Sequence, residues 1–176
     1  MAGDIYLNPL SSRGMRGALL AVLLAALPAV AHAANNCPWI NEATASGLMG
    51  GDAVGVYTDP APAQSAVCTF VQSEAGITRI LRITVMETAE FRSVFDTESK
   101  VCVTLGAPLI AIGNEAIVCS GDDRKKLYAE RVVGRVRNQV FTITLSTSRK
   151  DDSILTRSEL KARILTAAEQ VSGNLF

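Results

Sequence analysis

The chain has 176 residues, is 48% hydrophobic, and carries 17 basic and 17 acidic side chains with a single histidine. A formal net charge of zero argues against general nucleic-acid binding and against a polybasic membrane surface. The length suits one domain able to bury a core of its own.

The amino terminus sets the expected compartment. Arg13 and Arg16 precede an apolar run from Ala18 to Val30 that closes on Ala31-His32-Ala33, which is the order of a secretory signal peptide. Residues 1–33 are therefore expected to be removed by cleavage near Ala33. The run is shorter than the roughly 20 helical residues a bilayer requires, and no second long apolar run follows it. Ala34, Asn35 and Asn36 ahead of Cys37 do not match the Leu-Ala-Gly pattern before a lipidated cysteine. With no Asn-x-Ser/Thr acceptor in the chain, a bacterial periplasm or exterior is expected. The mature part, residues 34–176, is read as a single domain. Taking Arg13, Arg16 and Asp4 from the totals leaves it 15 basic and 16 acidic side chains.

Pro38 to Met49 reads as a short helix, with Pro38 in its first turn and Gly50-Gly51 as the stop. Trp39, the only tryptophan, is assigned to the core. Asp52 to Gln64 holds Gly55 and Asp59-Pro60-Ala61-Pro62 and is expected to be an exposed loop. Val67–Gln72 and Thr78–Glu87 read as strands turning at Ser73 to Gly76; in the second, Leu81, Ile83 and Val85 share one face and Arg82 and Thr84 the other. Thr88 is placed to cap a helix from Ala89 to about Ser99, with Phe91, Val94 and Phe95 at core spacing. The stretch from Cys102 to Cys119 is apolar but broken by Gly106, Pro108 and Gly113. That composition predicts a buckled connection clasped to the core.

Ala116–Ser120, Leu127–Val133 and Gln139–Ser146 are three more strand candidates, the last two turning near Arg137-Asn138. The final helix carries the clearest signals. Thr156 and Glu159 form a capping box, Leu160, Ile164, Ala168 and Val171 make an apolar stripe, and Gly173 is expected to end it. This order predicts an α+β fold: an antiparallel sheet of about five strands with helices packed on one face.

Cys37, Cys68, Cys102 and Cys119 form an even set in an exported chain, which predicts two disulfides. Three connectivities exist. Cys37 with Cys68 and Cys102 with Cys119 is favoured because each closes a local loop. The alternative, one zinc site of four thiolates, fits poorly because the spacings are wide and no CxxC pair is present.

An early cysteine beside a helix, a second cysteine opening a strand in VCTF (Val67 to Phe70), and AIGNEAIV (Ala111 to Val118) ahead of the later strands together resemble a group of small secreted bacterial domains. The group includes domains of unknown function and the extracellular sensor domains of mycobacterial PknH-type kinases. The resemblance implies a two-disulfide α+β domain with a ligand-binding cleft. The chain departs from those sensors in carrying neither a kinase domain nor a membrane helix, and no functional residue is carried over.

Loss of His32 with the leader removes imidazole chemistry. Ser-His-Asp and Cys-His systems and HExxH zinc sites go with it, and the mature chain is read as no enzyme, with no metal and no cofactor. Ser158-Glu159-Leu160-Lys161 matches Ser-x-x-Lys, but it coincides with the polar first turn of a capped helix. Asp122-Asp123 and Asp151-Asp152 read as turn formers. One charge bias remains. Arg131, Arg135 and Arg137, beside Arg124, Lys125 and Lys126, share parity on a strand and could hold a carboxylate or phosphate through paired hydrogen bonds; the alternative is a solvated sheet face interrupted by Gly134.

The expectation is an exported non-catalytic binding or interaction module whose partner is an anionic small molecule or an envelope component or protein, with Arg131, Arg135 and Arg137 as the ligand-binding residues. The alternatives are a structural or assembly partner in the envelope and a small carboxylate-dependent hydrolase.

Overall fold

The computed structural model describes residues 36–58, 65–102, 106–123 and 127–176. The leader assigned to 1–33, and Arg124 to Lys126, lie outside them. The elements run α1 (Glu42–Met49), β1 (Val54–Thr58), β2 (Ala66–Glu74), β3 (Ile77–Glu87), α2 (Phe91–Ser99), β4 (Ala107–Pro108), β5 (Glu115–Asp123), β6 (Leu127–Val136), β7 (Gln139–Thr147) and α3 (Arg157–Leu175).

The fold is α+β. All seven strands belong to one antiparallel sheet in the order β1-β2-β3-β7-β6-β5-β4, so two meanders meet where β3 pairs with β7. The five expected strands are present and somewhat longer than expected; β1 and β4 are the additions. β1 lies inside the segment expected to be a loop. Its Gly55 is opposite Phe70, and a Cβ there would stand 2.6 Å from the Phe70 ring, so the glycine that suggested a loop is what lets this strand approach. The Cys102 to Cys119 stretch is a hairpin where described, with Leu109 N donating to Ala116 O at 2.9 Å and Gly113 at φ 61°.

α1 begins later than expected because Asn41 caps it, its Oδ1 accepting from Thr44 N at 2.8 Å, and Gly50 at φ 76° ends it. α3 starts at the expected Thr156 cap but runs through Gly173 to Leu175, whose burial holds the last turn.

The expected placement of all helices on one face is corrected. α1 and α3 cover the face that carries Phe70, Leu81, Ile83, Phe141, Ile143 and Leu145, together with Trp39, and this is the main core. α2 lies on the opposite face, where Phe95 packs with Val133 and Val140 and is joined by Phe91, Val94 and Ile117. The reason is in the strands: on the outer side of β6 and β7, Val133 and Val140 form a local apolar patch amid polar residues, and α2 buries it with Phe95. Beyond α2 the outer face over β1 to β3 is open, and Val54, Val56 and Val71 are 70%, 65% and 39% exposed.

Both disulfides form in the favoured pairing, Cys37 with Cys68 and Cys102 with Cys119, with Cα separations of 5.6 and 5.7 Å. The four-thiolate zinc alternative is thereby excluded. No helix among the described residues is long and apolar enough to cross a membrane.

Candidate functional site

The arginines singled out in the sequence are not gathered as expected. Arg131 and Arg135 do share the outer face, because Gly134 leaves β6 unbroken. Arg137 does not. The strand ends at Val136, Arg137 turns at φ 54°, and its guanidinium lies 6.0 Å from the ring centre of Phe176 at the end of α3.

The two arginines that share a face are committed within the molecule. Arg131 Nη2 donates to Glu98 of α2, and Thr142 Oγ1 lies 3.4 Å from the same carboxylate oxygen. Arg135 Nε donates to Glu115 Oε1 at 2.7 Å, its Nη1 donates to Arg137 O at 2.6 Å, and its guanidinium sits 4.6 Å over the Phe91 ring. Arg92 of α2 reaches the other Glu115 oxygen at 3.0 Å. Burial pushes the Glu115 carboxyl up, but the bond from Arg135 and the charge of Arg92 outweigh it and hold the group below its ordinary value. These contacts fasten α2 to the sheet. A partly buried Arg-carboxylate pair resists an incoming anion, since the ligand would have to displace an internal carboxylate.

A different place presents cations to an open space. Where α3 begins, its first turn overhangs the end of β5 and β6 and encloses a cleft of about 620 Å³ lined by Val118, Ser120, Glu130, Arg157, Ser158 and Lys161. Antiparallel register sets Ser120 directly opposite Glu130, and Ser120 Oγ donates to Glu130 Oε1 at 3.2 Å. Glu130 is 7% exposed and Ser120 is half-buried, whereas Arg157, Ser158 and Lys161 are exposed. Among the described residues no carboxylate pairs with Arg157 or Lys161. The cleft is thus acidic at its floor and basic at its rim.

The overhang of α3 is fixed by a buried ion pair. Arg79 Nε and Nη2 donate to Asp152 Oδ2 and Oδ1, each at 2.7 Å, and Arg79 Nη1 donates to Gln72 Oε1 at 2.8 Å. Asp152 also accepts from Thr147 Oγ1 at 2.7 Å and from the backbone N–H groups of Ile154 at 2.9 Å and Leu155 at 3.2 Å. The Arg79 guanidinium, more than offsetting burial, holds the Asp152 carboxyl well below the usual carboxylate range. Asp152 therefore ties the segment that launches α3 to the middle of the sheet. It is not the solvated turn former that sequence suggested; Asp151 beside it is, pairing with exposed Arg149 at 2.6 Å.

No family model, no curated protein and no solved structure matches this chain.

The Ser-x-x-Lys residues do line this cleft. Ser158 Oγ, however, lies 3.1 Å from Thr156 Oγ1, which itself accepts from Glu159 N at 3.3 Å, so the motif is occupied in capping the helix. Glu130 is the one acid among the residues that line the cleft. A second, smaller cavity of about 140 Å³ lies by Cys37, Gly55 and Tyr57. Two of its polar walls are already engaged, Asn41 in the α1 cap and Glu42 in accepting from Gly55 N at 2.9 Å.

Proposed function

We propose that residues 34–176 form an exported, non-catalytic binding module of the bacterial cell envelope that holds an anionic small molecule or envelope fragment in the cleft beneath the start of α3. The carrying observation is that Arg157 and Lys161 stand exposed on the rim of a roughly 620 Å³ space without an acidic partner among the described residues. Cations in that state can offer charge-assisted hydrogen bonds to a ligand without first surrendering an internal one. Arg131 and Arg135, already bound to Glu98 and Glu115, fit that role less well. The volume also falls within the range of ordinary small-molecule sites, about 300 to 1,000 Å³. The resemblance read from VCTF and AIGNEAIV would imply a ligand-binding cleft of the same kind.

The test is a thermal-shift screen of residues 34–176 against anionic metabolites and cell-wall fragments, with Arg157→Ala and Lys161→Ala alongside. A ligand that binds the folded state raises the melting temperature by mass action. A shift lost in these two variants and kept in Arg131→Ala supports the cleft; a shift lost only in Arg131→Ala returns the site to the outer face.

A second reading has its own observation. Val54, Val56 and Val71 form an exposed apolar strip on the open half of the outer face, which suits a structural or assembly partner in the envelope. A pull-down from the exporting cell that depends on Val54 and Val56, with no small-molecule shift, would favour it. A carboxylate-dependent hydrolase has the least support, because a lone Glu130 cannot divide acid and base roles between two carboxylates.

A further inference from the structure

The polarity of the cleft narrows the ligand class, on the reading that the cleft is the binding site. Glu130 is more than nine-tenths buried, and the hydrogen bond its carboxylate receives from the described residues is the 3.2 Å contact from Ser120. A carboxylate has two oxygens and about four acceptor positions, and burying it with so few donors is costly. The space in front of it is open, so a ligand can reach it. A simple anion would satisfy Arg157 and Lys161 at the rim but would face the Glu130 charge at the floor. A molecule with a cationic donor at one end and a carboxylate at the other satisfies both.

We propose that the ligand is zwitterionic: an amino acid or short peptide whose ammonium group donates to Glu130 and Ser120 at the floor while its carboxylate is held by Arg157 and Lys161 at the rim. Val118, which also lines the cleft, is an apolar surface for a small side chain. The open mouth and the volume suit an amino acid or dipeptide and leave no need for a long chain to thread inward.

Titration calorimetry of residues 34–176 with dialanine, in its L,L and D,D forms, tests this against N-acetyl-dialanine, dialanine amide and inorganic phosphate. The expected result is that at least one free dialanine binds, and that blocking either end weakens binding by about tenfold or more, the scale of one lost charge-assisted hydrogen bond. In Glu130→Gln the preference for the free over the acetylated amine is expected to shrink, while the dependence on the carboxylate stays. The comparison of blocked and free ligands uses the unaltered protein, so it stands even if Glu130→Gln fails to fold. N-acetyl-dialanine binding as tightly as dialanine would overturn the zwitterion and leave the anionic cleft standing. No binding of any of these compounds or of phosphate would overturn both.

Discussion

Arg79 and Asp152 are 73 residues apart in sequence and meet through two hydrogen bonds of 2.7 Å, each side chain buried. The pair joins the centre of the sheet to the segment that starts α3, and so joins the core to the cleft. Leaving one partner of a buried ion pair alone costs about 3 to 5 kcal/mol. Arg79→Met is accordingly expected to lower stability by that amount in urea denaturation. Adding Asp152→Asn should recover part of the loss, because the amide oxygen can still accept from Ile154 N and Leu155 N.

The same pair sets a pH dependence. The folded-state Asp152 carboxyl titrates below its unfolded value, so its stabilisation is complete above the ordinary carboxylate pKa of about 4 and is lost as pH falls further. Glu115 acts in the same direction. Urea midpoints are expected to hold from pH 8 to pH 5 and to fall below about pH 4, with a shallower fall in Asp152→Asn. Equal slopes in both proteins would show that Asp152 contributes nothing to the acid limb.

The disulfides close loops of different length, 31 residues for Cys37 with Cys68 and 17 for Cys102 with Cys119. In the chain-entropy account these constrain the unfolded chain by about 3.7 and about 3.1 kcal/mol. Replacing both cysteines of one pair by alanine is expected to cost up to those amounts in chemical denaturation. Non-reducing peptide mapping should recover both crosslinks and no Cys37 to Cys102 peptide.

Gly134 is a packing position. A Cβ there would come within 2.2 Å of the Phe141 ring, which faces the main core. Gly134→Ala is expected to destabilise by about 1 to 3 kcal/mol through overpacking, measured by thermal or urea unfolding. A neutral outcome would mean that Phe141 moves aside freely.

Much of this architecture could be read in the residues. The five longer strands and the α3 cap were legible because alternation and the Thr-x-x-Glu signal are local. β1 was hidden by Gly55, whose role is to admit Phe70 from the neighbouring strand, a contact no local pattern encodes. The side of the sheet taken by α2 was hidden for a similar reason: Phe91, Val94 and Phe95 define an apolar stripe but not which apolar surface receives it. One further signal lies in the sequence. Arg79 shares parity with Leu81, Ile83 and Val85 and so had to be buried, which called for an acidic partner. The cleft was out of reach, since Ser120 and Glu130 meet Arg157 and Lys161 only after α3 is laid across the sheet.

On the proposed reading, Arg157 and Lys161 hold an anionic group beneath the start of α3. The most direct test is a two-dimensional amide NMR titration of isotope-labelled residues 34–176 with acetate and with inorganic phosphate. Saturable shifts are expected, confined to the amides around Val118 to Ser120, Glu130 and Arg157 to Lys161, and abolished in Arg157→Ala/Lys161→Ala. Shifts centred on Arg131, Arg135 and α2, or no saturable shift at any site, would contradict it.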